Sequence, residues 1–147
     1  MKMMKRILVP ISGAELSETI VPVVAALGRD TGASVRLLRV FPVPERVMGS
    51  HGRTVAYADQ EMARLTGEGL DDLRRVETQL ESVPVESVVR FGEPAEEIVL
   101  EAEAFGADLI ALAGRTRGRL RGALDPGVAA EVARRAPVPT LTLGGRV

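Results

Sequence analysis

The sequence predicts an α/β fold: a single domain holding one five-stranded parallel sheet with helices on both faces. Three observations predict it. Short apolar runs rich in branched residues recur along the chain. Each is followed by a segment of helical period, giving the order β-α-β-α-β-α-β-α-β. The strands are apolar on both faces, as expected of a parallel sheet buried between helix layers.

Lys5 to Ile11 is the first such run (Ile7, Leu8, Val9), closed by Ser12-Gly13. Glu15 to Thr31 has helical spacing, with Leu16, Ile20, Val23, Val24 and Leu27 on one face and Gly32 as a stop. Pro22 inside it is expected to kink or shorten the helix. Ser34 to Phe41 is the second strand, and 42–52, rich in Pro and Gly, is a loop. A long helix lies within 54–82, its middle weakened by Gly67 and Gly69. Pro84 to Phe91 is the third strand. Glu93-Pro94-Ala95-Glu96-Glu97 starts a helix, with Pro at its first position and acids in its first turn, that runs to Gly106. Asp108 to Ala113 is the fourth strand, and Gly114 to Leu124 a loop dense in Gly and Arg. Asp125-Pro126 opens a short helix to Arg135. Val138 to Leu143 is the fifth strand.

The 147 residues, 46% apolar and 27% charged, suit one soluble core without disulfides or metal staples. No apolar run approaches the ~20 residues that span a bilayer, and Met1 to Arg6 leads into too short an apolar stretch for a signal peptide. The expected setting is cytoplasmic. Cysteine is absent, which removes thiolate chemistry and cysteine-ligated metals. Nineteen basic and twenty acidic residues leave a net charge of −1, so no global field favours nucleic acid or an anionic membrane. Seventeen of the nineteen basic residues are arginines, only Lys2 and Lys5 being lysines.

Ligands of open parallel sheets bind outside the carboxyl ends of the strands. That rule selects Pro10, Ile11 and Ser12, then Val40, then Ala113 to Val128. Within the last stretch Gly114-Arg115-Thr116-Arg117-Gly118-Arg119-Leu120-Arg121-Gly122 stands out. Glycines and guanidinium forks suit a phosphorylated small molecule, and the following helix N-terminus adds partial positive charge. A solvated basic loop is the competing reading.

Ile7-Leu8-Val9-Pro10, Leu37-Leu38-Arg39-Val40, Val89 through Ile98, Ala107-Asp108-Leu109-Ile110, Gly114-Arg115-Thr116 and Arg135-Ala136-Pro137-Val138-Pro139 together resemble the universal stress protein family, in order over nearly the whole chain. The resemblance implies strand order 3-2-1-4-5, a cytosolic stress-response role and a homodimer, paired here through the edge strand Val138–Leu143. It also implies, in many members, bound ATP or AMP. The nucleotide-binding branch carries G-x-x-G, nine residues, then G-[ST], and an Asp after the first strand. Gly114 and Gly127 match the outer glycines. Arg117 stands where the middle glycine belongs, Val128 replaces the hydroxyl residue, Ser12 replaces the Asp and Ala14 a common Ser. Arg117 disfavours positive φ, Val128 offers no hydroxyl, and Ser12 cannot accept two ribose bonds as a carboxylate does. These departures predict a degenerate nucleotide site. The cofactor-binding candidates are Pro10, Ile11, Ser12, Val40, Ala113, Gly114, Arg115, Arg117, Gly127 and Val128.

Other chemistries find less support. Ser12-Gly13-Ala14-Glu15-Leu16-Ser17 echoes the pyrophosphate loop of ATP pyrophosphatases but lacks its second glycine and its Asp. A plain turn with Ser12 as N-cap accounts for it. A receiver domain would need acids where Ser12 and Gly92 stand. His51 is the only histidine and reads as a surface residue. Glu96, Glu97, Glu101 and Glu103, and the pair Glu77 and Glu81, read as solvated helix faces. No nucleophile-base-acid set is present, so catalysis is not expected, and no metal site is predicted. The arginine-glycine run suggests RNA binding, but Phe41, Tyr57, Phe91 and Phe105 are not interleaved with it, so stacking on bases is unsupported.

Overall fold

The structure, a computed structural model, describes residues 4–12, 17–44, 53–115 and 126–145. Its elements are β1 (Arg6–Pro10), α1 (Ser17–Thr31), β2 (Ser34–Phe41), α2 (Arg53–Glu77), β3 (Val85–Phe91), α3 (Pro94–Phe105), β4 (Leu109–Arg115), α4 (Pro126–Arg135) and β5 (Thr140–Gly145). A single 3₁₀ turn, Thr78–Leu80, follows α2. All strand pairs are parallel, in the order β3-β2-β1-β4-β5.

Alternation along the strands divides the core in two. Ile7, Val9, Val35, Leu37, Leu109 and Ala111 face α1 and α2, joining Ile20, Val24, Leu73 and Val76. Leu8, Leu38, Ile110 and Leu112 face α3 and α4, joining Ile98, Ala102, Phe105 and Val132. Side chains on both faces are therefore withdrawn from water, which explains runs without polar alternation. No described helix is long and apolar enough to cross a membrane.

Several local expectations change. α1 runs unbroken across Pro22, which lies on the exposed side, where water can satisfy the carbonyl one turn back. Its buried face is centred on Ile20, Val21, Val24 and Ala25, leaving Val23 half-buried. α2 also runs unbroken through Gly67 and Gly69. At Gly69 a Cβ would lie 2.8 Å from Cε2 of Phe41, so the bare backbone lets helix and strand approach. β4 includes Gly114 and Arg115, expected in the loop, because they pair with Gly144 and Gly145 of β5. β5 starts at Thr140 rather than Val138: Pro139 has no N–H, and only its carbonyl joins the ladder, accepting from Ile110 N at 3.1 Å.

Glu96 and Glu103 are exposed as expected, but Glu97 and Glu101 are not part of a solvated face. Glu101 is 3% exposed and receives Arg36 Nη1 at 2.5 Å and Arg90 Nη1 at 2.8 Å. Glu97 receives Arg90 Nε at 2.8 Å. Glu77 is likewise engaged, accepting the hydroxyl of Ser87. Strand arginines pointing at the helix layer supply the partners that buried carboxylates need.

Candidate functional site

Chain direction in the sheet reverses beside β1. The steps from β1 to β2 to β3 run one way under α1 and α2; those from β4 to β5 run the other way under α3 and α4. β1 pairs with β2 over five residues but with β4 only at Ile7↔Leu109 and Leu8↔Ile110. Beyond Leu8 the ladder to β4 stops, and a crevice opens at the carboxyl end, as a switch point requires.

At this end, on the α3 and α4 face, lies a cleft of about 180 Å³ lined by Pro10, Ile11, Ser12, Leu38, Val40, Pro94, Ile98 and Val128. Ile11 N donates to Leu38 O at 2.8 Å, which fixes the end of β1 beside β2. Leu38 and Val40 are two apart on one strand and so face the same layer. Pro94 and Ile98 are four apart on α3, and Val128 stands in the first turn of α4.

The first turn of α3 is held from three directions. Gly92 has φ +151°, and a Cβ there would meet Glu97 Oε2 at 2.7 Å. Only glycine fits both the conformation and the contact. The Glu93 carboxylate caps the helix, accepting from Ala95 N at 3.3 Å and Glu96 N at 2.6 Å. Arg90 then ties β3 to Glu97 and Glu101. Its pKa is raised, first by the hydrogen bond to Glu97 and then by that to Glu101. The positive end of α3 is thus occupied by the chain's own carboxylates, so a phosphate gains little there.

Of the sequence-derived candidates, Pro10, Ile11, Ser12, Val40 and Val128 meet in this cleft. Ala113 does not: it is buried on the opposite face, with α1 and α2. Gly114 and Arg115 end β4, and Gly127 is exposed beside Val128 without lining the cleft. Arg117, His51 and most of the arginine-rich stretch lie outside the described residues. Leu38, Pro94 and Ile98 were not anticipated as lining. Same-side spacing with Val40 and the i, i+4 step from Pro94 are the signals that could have found them. Among the described residues, Ser12 is the only polar one of the lining. Among the described residues, no group of three metal-ligating side chains comes together.

Fold and crevice place the chain among doubly wound α/β proteins with a switch-point cleft. Residues 3–143 match the universal stress protein family, and the chain belongs to it. It is similar in structure to the hypothetical protein MJ0577, at 25% identity and a TM-score of 0.82 over 99% of both chains. A universal stress protein solved in complex with cAMP superposes with a TM-score of 0.63 at 18% identity, over 97% of this chain and 98% of that one. One from Archaeoglobus fulgidus, in complex with dAMP, gives 0.59 at 18% identity, over 96% and 98%. At that identity the two complexes show the fold alone. No curated protein matches the chain.

Proposed function

We propose that this protein is a cytoplasmic, single-domain regulatory module of the stress response whose cleft takes the base of an adenine nucleotide and holds its phosphates poorly. The observation that carries this reading is the lining: among the described residues, apolar walls with Ser12 as the single polar group, around about 180 Å³. Ligand sites for whole drug-sized molecules span roughly 300–1,000 Å³. The cleft is the size of one planar ring system rather than a nucleoside triphosphate. Proline and branched aliphatic walls suit the faces of a purine, and binding of cAMP and dAMP by two relatives of the same fold supports the choice of adenine. Ser12 has one uncharged hydroxyl oxygen where a carboxylate would set two against the ribose hydroxyls, and the N-terminus of α3 is capped by Glu93. We further propose a homodimer through β5, an edge strand with one open ladder side.

Calorimetric titration with adenosine, AMP and ATP tests the nucleotide reading. The expected affinities lie within a few-fold of one another, because the phosphates add little. Stoichiometric ATP released on denaturing the purified protein, identified by mass spectrometry, would overturn it in favour of phosphate capture by the arginine-rich stretch. Light scattering tests the dimer; a monomeric mass at micromolar concentration excludes it.

A further inference from the structure

A second concavity lies at the opposite end of the sheet. At the amino ends of β1, β2 and β3, a groove of about 280 Å³ opens between Arg6, Ser34, Pro84, Val85, Glu86 and Phe105. Register sets its plan. Arg6 lies opposite Ser34, and Arg36 opposite Glu86, so Arg6 and Glu86 stand two strands apart and two residues out of step, roughly 12 Å between backbones. The amino end of β1 is pinned by Asp108, whose carboxylate accepts from Lys5 N at 2.7 Å and Arg6 N at 3.0 Å.

The charges in this groove are unevenly used. Arg36 is fully engaged: Nε and Nη2 reach Glu86 Oε1 at 2.8 and 2.5 Å, and Nη1 reaches Glu101. Its guanidinium lies 4.2 Å from the centre of the Phe105 ring. Arg6 is exposed, and its guanidinium stands 6.0 Å from the same ring. Among the described residues it makes no ion pair. Glu86 is 56% exposed on its side chain. Both its bonds from Arg36 land on Oε1, which leaves Oε2 without a described partner. Among the described residues, a cation with no ion pair and a carboxylate oxygen with no partner thus flank Pro84 and the edge of Phe105, whose ring also carries the Arg36 guanidinium.

We propose that this groove binds a free α-amino acid with an apolar side chain. The ligand carboxylate takes the Arg6 fork, its ammonium takes Glu86 Oε2 and the Ser34 hydroxyl, and its side chain covers Phe105 and Pro84. A simple anion would meet Glu86 as well as Arg6, and a simple cation the reverse; a dipolar ion satisfies both. The site is independent of the nucleotide cleft.

The test is a titration of the ¹⁵N-labelled full chain with L-leucine, isocaproate and isopentylamine, followed by amide shifts. Leucine is expected to move the amides of Arg6, Ser34 and Glu86 saturably at roughly millimolar concentration, leaving Ser12, Val40 and Val128 in place. The two analogues that keep one charge each are expected to bind roughly tenfold more weakly or worse. Arg6→Ala, at an exposed position, and Glu86→Gln should each cut leucine affinity by about the same factor. No saturable shift, isocaproate binding as tightly as leucine, or unchanged affinity in Arg6→Ala would each overturn the proposal.

Discussion

On one side of the sheet α1 and α2 lie on an almost wholly aliphatic layer, with bare backbone at Gly28 against Val83 and at Gly69 against Phe41. On the other side α3 is fastened by Arg36 and Arg90 to Glu97 and Glu101, and the cleft opens between it and α4. The first layer is held by contact, which is non-directional and tightens as helices approach. The second has an apolar layer of its own and adds directed charge pairs, which fix the position of α3 while leaving space at its first turn. A cleft can persist beside α3 because the helix is not drawn down onto the sheet by apolar contact alone.

The sharpest break of that contrast is Glu101→Ala. It takes from Arg36 and Arg90 their shared buried partner, leaving Arg36 with Glu86 and Arg90 with Glu97, and losing one partner of a buried charge cluster costs about 3 kcal/mol. The expected result is a fall in the midpoint of urea unfolding at unchanged slope. Arg36 is 21% and Arg90 29% exposed on their side chains, so water partly rehydrates both, which sets the loss near the low end of the range. A loss no larger than that of a surface glutamate would mean that packing alone holds α3.

Gly28→Ala tests the other face. A Cβ at Gly28 would overlap Cγ1 of Val83, which follows the 3₁₀ turn and is 6% exposed. Overpacking of this kind costs about 2 kcal/mol, again read from the unfolding midpoint. A neutral result would show that α1 can shift outward, and the contact layer would then be looser than its burial suggests.

Much of this contrast was legible in the sequence, but not its most informative part. Runs such as Ile7-Leu8-Val9 and Leu109-Ile110-Ala111-Leu112 announce two-sided burial directly. Glu93-Pro94 announces the start of α3 through capping chemistry that needs no tertiary partner. Glu101 departs from the expectation that helical charge is solvated. Its burial depends on Arg36 and Arg90, 65 and 11 residues away in sequence, and no local window contains those pairings. Pro10 to Ser12, Val40 and Val128 were reachable through the rule that ligands sit at carboxyl ends of parallel strands. Ala113 obeyed the same rule but faces the other layer, because side-chain direction alternates and a single strand position does not reveal which face it takes.

Ser12→Asp addresses what the cleft lacks. A carboxylate there can accept both ribose hydroxyls, and hydrogen bonds to a charged group contribute about 1.5 kcal/mol. Adenosine affinity is expected to rise roughly tenfold, by calorimetry, with 2′-deoxyadenosine gaining less. Equal gains for both would show that the carboxylate does not meet the ribose, and would move the base out of the assigned orientation.

The smallest expected effect separates the two faces most cleanly. Arg39 points into the contact-held layer, its guanidinium 4.7 Å from the centre of the Phe41 ring. Burial pushes its pKa down, and the charges of Asp72 and Glu68 only partly restore it. No carboxylate lies within ion-pair distance of it among the described residues. Arg36, in the same strand on the opposite face, is also opposed by burial, but Glu86 and Glu101 outweigh it and its pKa is raised. Replacing a desolvated, unbridged arginine by methionine keeps the stem and removes the charge. Arg39→Met is therefore expected to change stability by no more than about 0.5 kcal/mol, and towards greater stability. Arg36→Met leaves Glu101 with one guanidinium in place of two and is expected to destabilise. If the two substitutions instead cost the same, the arginines would serve both faces through their aliphatic stems, and the division into a contact-held and a charge-held layer would fail at β2.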